Sequence, residues 1–346
     1  TYTTNHNLKM YNRRLEEALH DAELISVLKN DREAKVLTDG LYDTLMLNQF
    51  HDILPGTCIA EATDVALAEQ ATALSRAKDY ISGKGKKGKK SYFNTLPHSR
   101  LEILSTDSGQ SYEALDGTRV VAPYKFEGCG YGKKVKGSGK IPFEVNGDTV
   151  KTPYLEATFS EGKISSLIYR GRELAKEGLH IIKAYEDLPF IYDNWDIDAD
   201  YRLKEKPVKF LGREVVSVGE YLLVVRITHA VAQNSLLVTD VKFRYDSPQI
   251  EFENHLTAGD THTLIRSEHD TTLFAQSYKC ETQFGNLLRN TYNREKSDIA
   301  KFEVCAHRFA DVSDMGYGVS LLNDCKYGYS CEGSNLKLTL IKCGIY

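Results

Sequence analysis

An imidazole and a carboxylate stand side by side where a predicted helix ends. Residues 48–56 read NQFHDILPG, so His51 precedes Asp52, and Pro55 followed by Gly56 makes the chain turn. A neutral imidazole can ligate Zn²⁺, and the adjacent carboxylate can accept hydrogen bonds from sugar hydroxyl groups. In the alternative interpretation, His51 only contacts the last carbonyl groups or the dipole of the helix.

The single tryptophan of the sequence lies among carboxylates. Trp195 belongs to the segment PFIYDNWDID, residues 189–198. An indole beside carboxylates can stack on a sugar ring while the carboxylates hold its hydroxyl groups. A lone tryptophan in a β-rich region is more often a core residue, so both interpretations stay open.

Two histidines could be taken for an acid-base pair. His262 and His269 flank Arg266 and Glu268 in a strand-like stretch. Their spacing matches no catalytic pattern, so we expect core or solvated histidines.

The C-terminal part contains a candidate loop and the only cluster of cysteines. Lys326 and Tyr327 belong to NDCKYG, residues 323–328, which could reach toward a site, although a tight turn explains the motif equally well. Cys325, Cys331 and Cys343 have no zinc-knuckle spacing. With seven cysteines in all, we expect free thiols in a reducing compartment.

Composition limits the classes of protein to which the chain can belong. It has 346 residues, 41% hydrophobic and 27% charged, which is typical of two or three globular domains. No apolar run is long enough to cross a membrane. With 44 basic and 48 acidic residues the net charge is -4, which argues against binding to nucleic acid or anionic lipid.

The secondary-structure elements that must position these residues are predicted to be helices in the first 82 residues and strands beyond Tyr92. Apolar residues recur every three or four positions over residues 12–28, again from Leu37 to Phe50 with support from Tyr42 and Met46, and over residues 60–81. Such stripes predict three helices packed as a bundle. The following KGKKGKK run predicts a mobile tether, with a basic nucleic-acid patch as the less favoured alternative.

Beyond Tyr92 the hydrophobic period becomes two, which predicts strands. Residues 240–245 and 335–340 alternate as strands with one wet face, whereas residues 221–231 are apolar enough for a strand covered on both sides. Glu161-Gly162 predicts a hairpin turn.

The fold prediction is therefore an α+β multidomain chain. An N-terminal three-helix bundle occupies residues 1–82, a Lys/Gly tether residues 83–91, and an antiparallel β-sandwich region residues 92–346. Division of the β region into 92–150 and 151–346 is left open.

Several motifs occur in one order along nearly the whole chain. They are Tyr2-Thr3-Thr4 with Lys9, Asn12-Arg13 and Glu16; NQFHDILPGT (48–57); FNTL (93–96); GKISSL (162–167); REL (172–174); QFG (283–285); AKFEV (300–304); RFAD (308–311); and NDCKYG (323–328). Together they resemble glycoside hydrolase family 38, the class II α-mannosidases, in the form of its cytosolic and bacterial branch. That branch also has Phe where Phe50 stands. The resemblance implies galactose-mutarotase-like β domains.

The resemblance also implies a chemistry. It is that of a retaining exo-acting α-mannosidase, in which Zn²⁺ holds hydroxyl groups of the terminal mannose and an Asp nucleophile forms a glycosyl-enzyme intermediate. By matching position, His51 is implied to be one of four protein zinc ligands and Asp52 to contact the sugar. The Trp195 segment resembles a family loop and is kept as a substrate-binding candidate.

The family's nucleophile, general acid and remaining zinc ligands lie in an α/β domain before the helices, whereas this sequence starts at Thr1. We therefore expect the middle and C-terminal part of such an enzyme, with that catalytic domain as its partner in cis and no catalytic residue within this chain. Two ligands are fewer than the three that a catalytic zinc normally uses, so the chain alone is expected to bind zinc weakly and to be inactive.

The expected substrate is a mannose-containing oligosaccharide, and the expected location is the cytoplasm. Formation of a homo-oligomer is left open. The alternative function is a non-catalytic carbohydrate-binding or structural scaffold, with Trp195 and its neighbouring carboxylates as the sugar platform.

Overall fold

The computed structural model describes residues 2–83 and 91–344. Residues 84–90 of the predicted Lys/Gly tether lie outside the described residues. The predicted domain boundaries stay a prediction.

Helices form the N-terminal part, and strands form most of the rest. The helices are α1 (His6–Lys29), α2 (Ala34–Asn48), α3 (Ala60–Ser82) and α4 (Lys296–Ile299), with a 3₁₀ helix at Tyr201–Leu203. The earlier strands are β1 (Arg100–Ala114), β2 (Gly117–Phe126), β3 (Lys133–Lys134), β4 (Glu144–Asn146), β5 (Thr149–Lys151), β6 (Leu155–Ser160), β7 (Lys163–Tyr169), β8 (Arg172–Glu173) and β9 (Ala175–Glu186). The later strands are β10 (Glu205–Lys206), β11 (Val208–Val218), β12 (Leu222–Val231), β13 (Ser235–Arg244), β14 (Ile250–Thr257), β15 (Thr263–Thr271), β16 (Ser277–Thr282), β17 (Gly285–Asn290), β18 (Val304–Cys305), β19 (Phe309–Asp314), β20 (Tyr317–Leu322), β21 (Gly328–Glu332) and β22 (Asn335–Cys343).

The predicted three-helix bundle is confirmed. Leu15 and Leu19 of α1 pack with Leu41 and Leu45 of α2 and with Leu74 of α3, and all five are buried. Residues three and four apart share one face of a helix, which is why the stripes meet in a single core.

Two residues of the predicted second stripe are exposed. Met46 follows the stripe residue Leu45 by one position, which turns its side chain about 100° away from the core. Phe50 lies beyond the end of α2, because the helix stops at Asn48. The amide of Gln49 donates to the carbonyl oxygen of Leu45 at 3.1 Å and closes the last turn.

The strands form four sheets. Their orders are β1-β2-β3; β18-β21-β22-β15-β9-β7-β6-β5-β4, with β10 on β9 and β8 on β7; β11-β12-β13-β14; and β17-β16-β19-β20. Neighbouring strands within the described ranges run antiparallel, including β6 and β7, whose predicted turn at Glu161-Gly162 is confirmed.

The main core lies between sheets, so the predicted β-sandwich is confirmed. Phe159 and Ile164 of the largest sheet pack with Val225 and Phe243 of the β11–β14 sheet and with Val312 of β19.

Strand β12 is covered on both sides, as predicted. Leu223 and Val225 face the main core. Leu222 and Val224 face the opposite side, where they pack with Tyr112 of the β1–β2 hairpin.

The predicted wet face of β13 is wrong. Asp240 and Lys242 are buried, at 0% and 6% exposure. Arg226 holds Asp240 at 2.7 Å, and Glu253 pairs with Lys242 at 2.5 Å. Arg119 of the β1–β2 hairpin also pairs with Glu253 at 2.9 Å, so a further layer covers this face. Buried charges of this kind persist because they are paired.

The predicted wet face of β22 is wrong for the same reason. Lys337 is buried and pairs with Glu332 at 3.2 Å. Thr339 is also buried, and its hydroxyl donates to Glu303 at 2.7 Å. The alternation of polar and apolar residues correctly assigned the two faces of β22. It could not show that other parts of the chain cover the polar face.

No helix within residues 2–83 or 91–344 combines the length and apolar character needed to cross a membrane.

Candidate functional site

The candidate His-Asp pair lies in a compact turn directly after α2. We call residues 49–57 the His51 turn. Phe50 accepts hydrogen bonds at its carbonyl oxygen from the amides of Ile53 (2.9 Å) and Leu54 (3.1 Å), and Asp52 accepts one from Thr57 (3.1 Å). These local bonds fix the backbone around His51.

The side chains of His51 and Asp52 are adjacent and accessible. His51 Nε2 lies 3.4 Å from Asp52 Oδ2, and the side chains are 73% and 43% exposed. The ring of Phe50 lies beside the imidazole, with 4.2 Å between centroids. The pair therefore presents a nitrogen and a carboxylate oxygen to a common region outside the bundle.

A buried lysine of α1 holds the other end of the His51 turn. Lys9 Nζ donates to the carbonyl oxygens of Thr4 (2.5 Å), Leu54 (3.1 Å) and Pro55 (3.0 Å). Burial, with a further contribution from Lys326, lowers the pKa of Lys9 to about 7. Three carbonyl acceptors are the partners that an ammonium needs in such a position.

Gly56 brings the turn against the N-terminal segment. Its φ is +79°, and a Cβ built there would lie 2.7 Å from Asn5 Cβ and 2.8 Å from the carbonyl oxygen of Thr4. The Asn5 amide donates to the carbonyl oxygen of Gly56 at 2.9 Å. Only glycine fits this close approach without strain.

Gln49 connects the same turn to the middle of α1. Its amide donates to Asn12 Oδ1 at 3.1 Å and to Glu16 Oε1 at 3.0 Å. The positioning roles of Lys9 and Gln49 were not deduced from the sequence. The available signal is that Lys9 and Asn12 share the face of α1 on which Leu8 and Leu15 are buried, where polar residues require partners.

Trp195 lies on the surface, so the core interpretation is wrong. It is 54% exposed. Its neighbour Asn194 accepts a hydrogen bond from Thr4 Oγ1 at 3.2 Å, and Thr4 also accepts the bond from Lys9. His51 and Asp52 thus contact each other directly, whereas the Trp195 segment reaches their turn through Thr4 and Lys9.

Buried charges anchor the segment that carries Trp195. Asp187 pairs with Lys342 of β22, and both are buried. Lys342 also lies 3.9 Å from Asp193. Asp187 accepts the backbone N–H of Asp198 at 2.8 Å. This network ties both ends of the segment to the sheet.

The two weighed histidines do not form an acid-base pair. His269 is buried and lies 3.0 Å from Ser267 Oγ, and burial lowers its pKa to about 4. His262 lies 3.6 Å from Asp193 instead. Buried Arg266 contacts the hydroxyl group of Tyr201 at 2.6 Å. The expectation of core or solvated histidines is confirmed.

The loop at residues 323–328 is a turn that contacts the helical bundle. The side chain of Asn323 accepts the amide of Lys326, as the tight-turn interpretation requires. Tyr327 accepts a hydrogen bond from Arg13 of α1 at 3.1 Å. Burial lowers the pKa of Lys326 to about 8.

The residues that could hold a metal are few. Within residues 2–83 and 91–344, no group of three or more His, Cys, Asp or Glu side chains is arranged to hold one. The seven cysteines are free, and Cys325 and Cys331 are buried. His51 and Asp52 can offer two ligands, so a complete zinc site needs donors from elsewhere.

Two family descriptions match most of the chain. Residues 150–346 match the glycosyl hydrolases family 38 C-terminal domain, and residues 1–87 match the alpha mannosidase middle domain.

Curated relatives extend the match. Alpha-mannosidase 2C1 of Homo sapiens is 30% identical over 382 residues, which cover 99% of this chain and 35% of the relative. An alpha-mannosidase of Saccharomyces cerevisiae is 27% identical over 370 residues, covering 99% of this chain and 32% of the relative. The chain thus spans roughly a third of the length of these relatives.

Solved structures share the fold. An alpha-mannosidase from Enterococcus faecalis V583 superposes with a TM-score of 0.75 at 11% identity, over 99% of this chain and 51% of that one. A glycosyl hydrolase family 38 protein from Enterococcus faecalis gives 0.72 at 11% identity, over 100% of this chain and 54% of that one. At this identity the similarity shows the fold alone.

Proposed function

Because this chain belongs to family 38 of the glycosyl hydrolases, we propose that it is the middle and C-terminal part of a retaining, zinc-dependent α-mannosidase that removes terminal α-linked mannose from oligosaccharides. The observation that carries the proposal is the accessible His51–Asp52 pair, at 3.4 Å, on a turn held by buried Lys9. The nucleophile, the general acid and the remaining zinc ligands are assigned to an α/β domain outside this chain.

The donor chemistry of the pair fits zinc. An imidazole nitrogen and a carboxylate oxygen are both zinc ligands, and here they lie close enough to share one ion. When bound, Zn²⁺ supplies positive charge that holds sugar hydroxyl groups. In this proposal His51 ligates the metal, and Asp52 orients the sugar by accepting hydrogen bonds from its hydroxyl groups. The chain offers at most two zinc donors, and the nucleophile and general acid are assigned outside it, so the chain alone is inactive.

The chain contains a matched control for this pair. His20 Nδ1 lies 3.5 Å from Asp21 Oδ1, with the side chains 66% and 37% exposed, but this pair lies within α1 rather than on a turn. With the α/β domain of a family member supplied in trans, we expect zinc-dependent hydrolysis of an aryl α-mannoside. His51→Ala should lower that hydrolysis at least 100-fold, and His20→Ala should leave it unchanged.

The same assay distinguishes the role of His51 from that of Asp52. Unchanged activity in His51→Ala would overturn the assignment. Asp52→Asn should raise KM with a smaller loss of bound zinc. If Asp52→Asn loses as much zinc as His51→Ala, Asp52 is a metal ligand and not a sugar-binding residue.

The second candidate is a non-catalytic carbohydrate-binding scaffold. Trp195 is half exposed, and Phe190 and Tyr192 of the same segment are 99% and 69% exposed. Exposed aromatic rings beside carboxylates are a usual platform for sugars. This function predicts mannoside binding by the chain alone, without zinc.

The proposed location is the cytoplasm. Seven free cysteines, three of them buried, suit a reducing compartment.

A further inference from the structure

A cleft of about 1520 Å³ follows the edge strand β14 and is lined by residues of two sheets and of the N-terminal end of α1. Its inner wall includes Ser267 and His269 of β15 and His180 of β9. These residues are buried, with exposures of 2%, 4% and 2%. No residue proposed above to bind mannose or zinc lines the cleft, so it is distinct from the mannoside site.

A β-bulge places the ring of His180 between the two sheets. The register between β9 and β15 shifts at this point, so His180 is an extra residue in β9 without an opposite residue on β15. Its φ is +59°, a left-handed conformation that is strained for a residue with a side chain. The imidazole stacks on Phe252 of β14, with 4.3 Å between ring centroids and 17° between planes.

Hydrogen bonds join the polar side chains into a chain with one direction. Thr239 donates its hydroxyl proton to Asn254 Oδ1 at 2.7 Å, so its oxygen accepts from His180 Nε2, which lies 3.4 Å away. Because its proton is on Nε2, His180 accepts at Nδ1 from the hydroxyl group of Ser267 at 2.8 Å. Ser267 has then used its only proton, so it accepts from His269 Nε2 at 3.0 Å.

This direction leaves a lone pair on Nδ1 of His269. Burial lowers the pKa of His269 to about 4, with no contribution from a charged group of the described chain, so the ring is neutral near pH 7. Within residues 2–83 and 91–344, Nδ1 makes no hydrogen bond, and it is accessible from the cleft. A buried acceptor without a partner is unfavourable, which favours a bound molecule that donates to it.

The inner wall around this acceptor is apolar. Leu179 lies opposite His269 on β9, and Leu338 lies opposite Ser267 on β22. Both leucines line the cleft and belong to the main core. The ring of Phe252 lies 5.8 Å from that of His269 and covers the site from the other sheet.

Charged residues that also line the cleft have partners of their own. Glu251 and Glu253 alternate with the inward-facing residues of β14, so their side chains point to the outer face of that sheet. There Glu251 pairs with Lys242 at 3.0 Å, and Glu253 pairs with the same lysine at 2.5 Å. Asp324 offsets the charge of its neighbour Lys326. The inner wall therefore offers one neutral acceptor and no net charge.

We propose that this inner wall binds an uncharged alcohol with an apolar body, whose hydroxyl group donates to His269 Nδ1. The apolar body would pack on Leu179, Leu338 and Phe252. A carboxylate or a phosphate would be repelled by the lone pair on Nδ1, and an ether would leave that nitrogen without a donor.

The test compares two molecules of similar shape, of which only one is a donor. We expect cyclohexanol to bind the full chain at one saturable site in an NMR titration. Methoxycyclohexane should bind about fivefold more weakly, which is the factor that one net hydrogen bond gives. His269→Phe should remove this preference for the alcohol. His255→Phe makes the same change on the outer face of β14, where His255 lies 3.5 Å from Glu253, and should retain the preference.

A second variant tests the direction of the hydrogen bonds. Ser267→Ala removes the acceptor that holds the proton of His269 on Nε2, so the proton can move to Nδ1. The preference for cyclohexanol should then decrease. This variant also replaces His269→Phe if that one does not fold.

Nitrogen NMR of the native chain, labelled at histidine, gives a readout that a structural role would not move. The Nδ1 resonance of His269 should be that of a proton-free imidazole nitrogen. Cyclohexanol should shift it toward the hydrogen-bonded range, and methoxycyclohexane should not.

Four results would overturn the proposal: no saturable binding of cyclohexanol, equal affinities of the two molecules for the native chain, a native preference in His269→Phe, or an Nδ1 resonance that cyclohexanol leaves in place. The first would show that the cleft holds only water. Neither zinc nor a mannoside is present in these measurements, so their outcome is independent of the proposed mannosidase function.

Discussion

The ammonium of Lys9 lies 3.1 Å from the carbonyl oxygen of Leu54, across 45 positions of sequence. This contact joins the first turn of α1 to the turn that carries His51 and Asp52. Because Lys9 also bonds to Thr4, which holds the Trp195 segment through Asn194, one buried cation connects the two proposed mannoside-binding segments.

Replacing this cation should destabilise the chain. Lys9→Met removes the partner of three carbonyl oxygens, and leaving buried acceptors unpaired costs about 1–3 kcal/mol. We expect urea denaturation to show a loss of about 2 kcal/mol in the free energy of unfolding. Lys35→Met, which breaks only an exposed pair with Asp39, should stay within about 0.5 kcal/mol of native. Equal losses would show that Lys9 is not an anchor.

Gly56→Ala should lower the free energy of unfolding more than Gly171→Ala, which alters a glycine of the same backbone geometry. Gly56 and Gly171 have φ values of +79° and +78°, but an added Cβ meets Asn5 and Thr4 only at Gly56. Gly171→Ala should cost about 1 kcal/mol from backbone strain alone. Thermal denaturation should place the unfolding temperature of Gly56→Ala below that of Gly171→Ala. Equal decreases in the unfolding temperatures of the two variants would mean that the N-terminal segment makes room for the added Cβ without loss of stability.

Acid should weaken the fold through buried histidines. His6 and His269 have folded-state pKa values of about 4 against an unfolded value of 6.5. As pH falls below 6.5 the unfolded chain takes up protons that the folded chain does not, so the free energy of unfolding decreases.

We expect the loss between pH 7 and pH 5 to include about 2 kcal/mol from His269. Urea denaturation at both values should show a smaller loss in His269→Gln and a native loss in His20→Gln, which alters an exposed histidine. Stability independent of pH over this range would contradict the prediction.

Trp195 can report on sugar binding without a label, because it is the only tryptophan. Its exposure predicts red-shifted emission and efficient quenching by acrylamide. If the chain alone binds mannosides, α-mannobiose should reduce this quenching, and lactose should have less effect. Blue-shifted emission that resists quenching would contradict the exposed position. Quenching unaffected by either sugar would remove the support for the scaffold function.

Local patterns of sequence were sufficient for much of the fold. Leu15, Leu19, Leu41 and Leu45 recur at helical spacing, and such residues share a face whatever surrounds them. The hairpin at Glu161-Gly162 was equally predictable, because its turn has a short-range signature. The motif around His51 and Asp52 also indicated the family.

Exposure could not be predicted from alternation alone. Lys242 and Lys337 stand at polar positions of their strands but are buried, because other elements cover those faces and supply their acidic partners. The opposite error occurred at Trp195, where an aromatic residue was weighed as core and lies on the surface.

The sequence by itself determined the helices, the strand-rich region, the family and the candidate pair His51 and Asp52, since each depends on residues near one another along the chain. Only the tertiary structure decided that Lys9 and Gly56 hold that pair and that Arg13 joins α1 to the turn at residues 323–328. Those facts depend on contacts between segments far apart in sequence, such as the start of α1 with residues 54–56. Desolvation and pairing at such contacts arise only when the chain is folded.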